Sequence, residues 1–523
     1  MTEVVRIRGP VRSHPSGLMK AARRPPNETV DRQEKWAERL VLGGPLGIVM
    51  LQEGVIMASF KFFTGVISSQ TLGGNETGYV GRDAVIDGNI YGSGNNNDLR
   101  VYGTVVSSVA ITMSGYNNSI FIGSTGIVDG LASSSTGTAA IELLVDDAAV
   151  AALGRLFNAG QVSGNGMALF ARLLDSGDRA VISNTGSFLG EEAGIFTTGS
   201  GTIQIDNSGL ISGVRFGVTN TMTAFNSSAT QVSIVNSGTI SGDEGSVFTG
   251  AAVDNLTNSG LLQGNVSLGD GDDILTNRGT INGMVNMGPG NDHVDARTGA
   301  INGEISLEGG KDTFIGNALV AENVKGGGGV DLLDFRMGPA VILALDGKFG
   351  ADGAALGDSY SGFENVYGSN SKADMIRGTG AKNLLVGNGG NDKLDGAEGK
   401  DMLLGGSGVD VLTGGRGNDV FRFNARNECG DKITDFHNVS GDNDKFVFDS
   451  AGFGGGLTAG TLAANQFQTR ADKLAQDAND RFIFNTTNQT LWFDADGNGA
   501  GAAIMVADMQ AGATMSVSDI LIL

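Results

Sequence analysis

Four aspartates, Asp392, Asp401, Asp410 and Asp419, recur at nine-residue intervals, each in the pattern G-x-x-G-x-D-x-U-x with U apolar. The blocks are GNGGNDKLD (387–395), GAEGKDMLL (396–404), GGSGVDVLT (405–413) and GGRGNDVFR (414–422), and their apolar residues are Leu394, Leu403, Leu412 and Phe421. Three looser blocks precede them: YSGFENVYG (360–368), SNSKADMIR (369–377) and GTGAKNLLV (378–386). The acids offer hard oxygen ligands with no thiolate or imidazole among them, a set that favours calcium over zinc. The charge balance agrees. Lys+Arg is 35, Asp+Glu is 57 and the net charge is −22, so divalent cations are natural partners. A nucleic-acid binder would need a basic surface.

These nonapeptides resemble the RTX, or haemolysin-type, calcium-binding repeat. The resemblance implies a six-residue turn followed by a three-residue strand, with the apolar residue inside and two nonapeptides per coil. Turns on one edge are then 18 residues apart. Asp392 is expected to pair with Asp410 on one edge and Asp401 with Asp419 on the other, with Asp374 beside Asp392. Backbone carbonyls of Gly387, Gly389, Gly396, Gly405, Gly406, Gly408, Gly414, Gly415 and Gly417 are implied as further calcium ligands. Asn383 replaces the acid of its turn, which implies a weaker site with Asp401. The likeness extends to 330–369 upstream and to 431–453 downstream, where Asp431, Asp435, Asp442 and Asp444 either bind or face solvent.

Residues 481–509 resemble the terminal hairpin of serralysin-type C-terminal domains. Asp494, Asp496 and Asn498-Gly499 match the first half of an EF-hand loop, but the twelfth position is Met505, not Glu, which argues against an EF-hand. The chain ends SVSDILIL (516–523). An acid, Asp519, before four apolar residues resembles the uncleaved signal of type I ABC exporters.

A second acidic phrase lies upstream, in LGDGDDILT (268–276), MGPGNDHVD (287–295), LEGGKDTFI (307–315) and GGGGVDLLD (326–334). Its sixth residues are Asp273, Asp292, Asp312 and Asp331. Stacked coils would align these acids in one column along one edge. Like charges a coil apart repel, so the column calls for a cation between its members.

The elements that must carry these acids are coils. A seven-residue phrase recurs as NAGQVSG (158–164), NTGSFLG (184–190), NSGLISG (207–213), NSGTISG (236–242), NSGLLQG (258–264) and NRGTING (277–283). Units of 19–29 residues with one inward apolar position match turns of a parallel β-solenoid. Glycine is expected to supply positive φ at the corners. Asparagine tolerates the same conformation and can stack its amide on the next coil. The run IELLVDDAAVAALGRLF (141–157) fits either a helix laid on the solenoid or two strands within it.

The expected fold is therefore all-β: a parallel β-helix running into a calcium-binding β-roll with a C-terminal β cap. Residues 57–325 form the repeat array, 326–448 the roll, and 449–523 the cap and export signal. Residues 1–56 stand apart, with five of the seven prolines and a charge of +3 (nine Lys/Arg against six Asp/Glu). They read as a non-native or disordered leader. Met57 is the expected start, because Gln52-Glu53-Gly54 can be encoded as a ribosome-binding sequence. The apolar run at 41–51 is too short to span a bilayer, which takes about 20 residues.

One cysteine, Cys429, excludes a disulfide framework. His14, His293 and His437 belong to no H-E-x-x-H phrase. The functional expectation is a secreted calcium-binding solenoid with a structural or adhesive role at a cell surface or in matrix. Its partners would be calcium, a type I exporter and cell-surface or matrix polysaccharide. The alternative is an extracellular polysaccharide lyase or epimerase. Tyr79, Tyr91, Tyr102 and Tyr116 are the tyrosines of the N-terminal array, and no Arg/Lys/Tyr cluster accompanies them.

Overall fold

Alternation decides which side chains enter the core. In the strand Thr202–Asn207, Ile203, Ile205 and Asn207 are buried while Thr202, Gln204 and Asp206 lie nearer solvent. That strand pairs in parallel, residue for residue, with Arg179–Asn184 one coil earlier and Gln231–Asn236 one coil later. The same coil turns twice more. Leu210–Gly213 stacks between Ser187–Gly190 and Thr239–Ser241, and Ala193–Gly199 stacks between Met167–Leu173 and Phe216–Thr219. The result is a three-faced parallel β-solenoid, as the repeat length implies. The computed structural model describes residues 58–131, 138–146, 151–220, 229–316, 321–348, 352–353 and 357–523. The leader reading of 1–56 lies outside these residues.

One core stripe runs through the coils: Ile182, Ile205, Ile234, Leu256, Leu275, Val294, Phe314, Leu333, Val366, Leu385, Leu403 and Phe421, all at most 2 % exposed. Each such side chain stabilises the fold by about 1.5–3 kcal/mol relative to exposure. Residues 141–157 resolve into strands, Ala139–Val145 and Leu153–Asn158, with 147–150 outside the described residues. Ile141, Leu143 and Val145 turn inward between Glu142 and Leu144, which is a two-residue period.

The asparagines of the repeated phrase form a buried ladder. Nδ2 of Asn158, Asn184, Asn207, Asn236 and Asn258 donates to Oδ1 of the next at 2.8, 2.7, 2.7, 2.8 and 2.9 Å, ending at Asn277. The ends are closed by backbone. Asn158 Oδ1 accepts from the N–H of Gly160, and Asn277 Nδ2 donates to the carbonyl of Ala300. The expected positive φ is found at Gly94, Gly115 and Gly264 and at Asn96 and Asn117, but the glycine of the N-x-G phrase serves another purpose. A Cβ on Gly209 would stand 2.1 Å from the carbonyl oxygen of Gly186, and one on Gly238 would stand 2.1 Å from that of Gly209. Close coil-to-coil contact, not left-handed backbone, selects glycine there, and the asparagines are strand residues.

The coil narrows toward the C-terminus. The second face ends with Ala300–Ile301 and the third with Ser359–Ser361. A new sheet begins with Val341–Ala344 and continues through Met375–Arg377, Lys393–Asp395, Val411–Thr413 and Asp431–Ile433. From Met375 onward each coil has two strands. Residues 431–523 close the end. An antiparallel hairpin of Thr490–Phe493 and Ile504–Met509 joins the new sheet beside Asp431–Ile433. Ile520–Ile522 becomes the last parallel strand of the long sheet, on Lys445–Phe448.

Candidate metal centre

Every nonapeptide aspartate immediately precedes a strand, so the β-ladder carries it into register with its counterpart one coil away. On one edge the N–H of Asp374 donates to Asp392 Oδ1 at 2.8 Å, that of Asp392 to Asp410 Oδ1 at 2.7 Å, and that of Asp410 to Asp431 Oδ1 at 3.0 Å. On the other, Asn383 donates to Asp401, Asp401 to Asp419 and Asp419 to Asp444, at 2.8, 2.8 and 2.9 Å. The carboxylates are thus brought together in the pairs the period implies. All are at most 3 % exposed.

The second oxygens divide into two kinds. Oδ2 of Asp392, Asp401, Asp410, Asp419 and Asp431 is buried without a hydrogen-bond partner. At three of the four ends the side chain is instead satisfied, while Asp431 ends its edge with an orphaned oxygen. Asp374 Oδ2 accepts from Ser369 N–H at 2.6 Å, and Asp444 Oδ2 from His437 N–H at 2.8 Å. Asn383 is also satisfied, accepting from Thr379 N–H and donating to the Glu364 carbonyl. A buried carboxylate oxygen costs free energy unless something compensates it. The orphaned oxygens therefore mark the interior of each edge and the Asp431 end of the first, and a divalent cation fits their chemistry.

The glycines build the cradle. A Cβ on Gly387 would lie 2.2 Å from Asp392 Oδ2, and those on Gly396, Gly405 and Gly414 would lie 2.5, 2.2 and 2.7 Å from the Oδ2 of Asp401, Asp410 and Asp419. Position two of each turn is left-handed: Asn388, Ala397, Gly406 and Gly415 have φ of 68°, 79°, 94° and 96°. Gly408 and Gly417, at position four, also have positive φ and sit against the carbonyls of Gly390 and Gly399. Gly389 makes a parallel bridge to Ser407. The carbonyls and carboxylates of successive turns are thereby stacked along each edge.

Burial pushes the carboxyls of Asp392 and Asp401 up to about 7 and that of Asp431 up to about 8, against the opposing pull of the N–H each accepts. Asp410 and Asp419 are raised for the same reason. The repulsion anticipated between like charges adds to the rise at Asp392 and Asp401, from Asp410 and Asp419 respectively.

Asp431 and Asp444 are full members of the two columns, although the sequence left them between ligation and solvent exposure. Asp435 receives N–H groups from Gly414 and Gly415 at 2.9 and 2.7 Å, and so caps the last turn. Asp442 lies 3.0 Å from His437 Nδ1, and these two with Asp444 form the one cluster of metal-type ligands within 4.8 Å among the described residues.

The model of the RTX calcium-binding nonapeptide repeat, in four copies, matches residues 369–403 and 396–425. The chain therefore carries RTX calcium-binding repeats, in a β-roll that continues a parallel β-solenoid. None of the curated proteins matches the chain.

Asp410→Asn is expected to weaken calcium-induced folding far more than Asp374→Asn. The first replaces an orphaned oxygen by an amide; the second alters a carboxylate already satisfied by two N–H groups. Calcium titration of the far-UV circular dichroism should show the Asp410 midpoint raised about tenfold or more, equivalent to about 1.4 kcal/mol. Equal shifts for the two variants would contradict the contrast between orphaned and satisfied carboxylates in the column.

Proposed function

We propose that the protein is an extracellular calcium-binding scaffold, exported by a type I ABC system and folded by calcium outside the cell, with a structural or adhesive role. The observation that carries the calcium part is the set of orphaned, buried Oδ2 atoms inside the nonapeptide edges. Asp392, Asp401, Asp410 and Asp419, with the carbonyls of the glycines beside them, are the proposed ligands. Binding free energy would then be folding free energy. Extracellular calcium modules bind at about 10⁻⁴–10⁻³ M, so the chain would remain unfolded and export-competent inside. RTX repeats typically occur in secreted proteins, which supports this location. No helix among the described residues is long and apolar enough to cross a membrane.

Two of the tyrosines that a uronate-cleaving enzyme could use pack against aromatic neighbours. Tyr79 and Tyr102 belong to a row with Phe63, Phe121 and Phe157 in which neighbouring ring centroids are 5.0–5.7 Å apart.

The C-terminal tail offers the test. Ile520 and Ile522 are buried in the last strand, while Leu521 and Leu523 are 39 % and 46 % exposed. Asp519 is held by Ser516 and by Lys445 Nζ at 3.1 Å. Deleting the tail would remove a strand, so substitution is the cleaner experiment. In a Gram-negative host supplied with a type I exporter, the chain should reach the medium, and Leu521→Ser/Leu523→Ser should reduce export without altering the calcium-bound circular dichroism. A chain that stays inside the cell with the exporter present would overturn the export reading.

A further inference from the structure

The turn that defines the nonapeptide edges recurs upstream, where the acids lie 19 or 20 residues apart instead of nine. Position two is left-handed at Gly269, Gly288, Glu308 and Gly327, with φ of 95°, 96°, 66° and 103°, matching 94° and 96° at Gly406 and Gly415. Position four at Gly271, Gly310 and Gly329 has φ of 140°, 153° and 146°, matching 145° and 148° at Gly408 and Gly417. Its N–H bonds to the position-three carbonyl of the next turn in both regions: Gly271 to Pro289 and Gly290 to Gly309 here, Gly390 to Ser407 there, each at 2.9 Å. Gly309–Gly310 bridges Gly328–Gly329 just as Glu398–Gly399 bridges Arg416–Gly417.

The sixth-position acids are also treated alike. The N–H of Asp254 donates to Asp273 Oδ1, Asp273 to Asp292, Asp292 to Asp312 and Asp312 to Asp331, at 2.7–2.9 Å. All five aspartates are at most 2 % exposed, and Oδ2 of each is buried without a partner. Asp254 extends the column one coil above the acids that the sequence phrase marks. Its turn, TGAAVD (249–254), keeps the glycine at position two and replaces the one at position four by Ala252. Below, the column is closed by Glu364, whose carboxylate accepts from Asp331 N–H at 2.9 Å. Among the described residues the other faces of these coils carry no matching acid column, so the arrangement is one-sided.

We infer that residues 249–331 hold a second run of calcium sites, on a single edge of the β-helix, with one ion between successive turns bearing Asp254, Asp273, Asp292, Asp312 and Asp331. The N–H groups donated along the column stabilise one oxygen of each carboxylate and hold the other toward the space shared with the turn carbonyls. Hydrogen bonding thus orients the column, and the cation compensates the remaining oxygens. The inference rests on the calcium reading of the nonapeptides, because the turns that begin at 268, 287, 307 and 326 match theirs.

Hydrogen–deuterium exchange of the full chain, followed by mass spectrometry with EDTA or millimolar calcium, tests it. Calcium is expected to slow exchange tenfold or more in peptides from 249–334 as well as from 369–431. Protection confined to 369–431 would overturn the inference and leave the roll intact; protection in neither would sink the nonapeptide reading itself. A variant separates direct binding from spread. Asp273→Asn/Asp292→Asn/Asp312→Asn keeps each Oδ1 and removes each ligand oxygen. Calcium protection of 249–334 should then disappear while that of 369–431 persists, and equilibrium dialysis should count fewer bound ions. Unchanged protection and ion count would overturn the inference. If the triple variant does not fold, Asp292→Asn alone, at the centre of the column, is expected to lower the ion count by the same logic, and an unaltered count would again overturn it.

Discussion

In EDTA, raising the pH from 5 to 8 is expected to melt the β-roll, and adding millimolar calcium at pH 8 is expected to restore it. Burial raises Asp392 and Asp401 from 3.8 to about 7 and Asp431 to about 8. A raised folded-state value means that the folded chain binds more protons than the unfolded chain between these limits. Stability from that source is complete below about 4 and lost as pH climbs toward 7 or 8. Between pH 5 and 7 each such carboxyl removes about 2 kcal/mol from the metal-free fold, and several act together. Calcium replaces the protons and reverses the loss. Far-UV circular dichroism at the two pH values, with and without calcium, checks the expectation. A metal-free β signal that is the same at pH 5 and pH 8 would contradict it.

The second large effect belongs to the asparagine ladder. Asn207→Ala should destabilise the array by about 4 kcal/mol. It leaves Asn184 without its 2.7 Å acceptor and Asn236 without its 2.7 Å donor, both fully buried, and each unsatisfied group costs about 1–3 kcal/mol. Asn277→Ala removes an end rung and breaks one bond between asparagines, that from Asn258, instead of two, so about half the loss is expected. Chemical denaturation of the calcium-loaded protein compares the two. An Asn207 variant no weaker than the Asn277 variant would show that the ladder does not act as a chain. Because each coil contacts only its neighbours, the damage should be local to the array and leave calcium binding by the roll unchanged.

Much of this was readable in advance where period and register coincide. Asp392 opposite Asp410 and Asp401 opposite Asp419 follow from a nine-residue repeat with two repeats per coil. The columns become unreadable where the period changes. Asp431 lies 21 residues beyond Asp410, and Asp444 lies 25 beyond Asp419, so neither falls on the 18-residue step. Asp254 was hidden because Ala252 breaks its glycine pattern. The asparagine positions were legible but their conformation was not: sequence cannot tell a glycine chosen for φ from one chosen for a carbonyl 2.1 Å away. Residues 141–157 were ambiguous because a continuous apolar run satisfies both periods, and only pairing with Met167–Leu173 and Arg179–Asn184 settles it as strands.

The ladder from Asn158 to Asn277 also governs how such a protein can change length. Every amide points the same way, and both ends terminate on backbone groups that any coil provides. Each rung is therefore interchangeable with its neighbours. Losing or duplicating one full coil leaves a shorter or longer ladder with the same closed ends, whereas a single-residue slip turns the buried amides outward along the whole strand face. The array is quantised: it can grow or shrink by whole coils at little energetic cost, but not by fractions of one. A gene for it can thus set the length of the solenoid by copy number, while the roll and cap that close it remain unaltered.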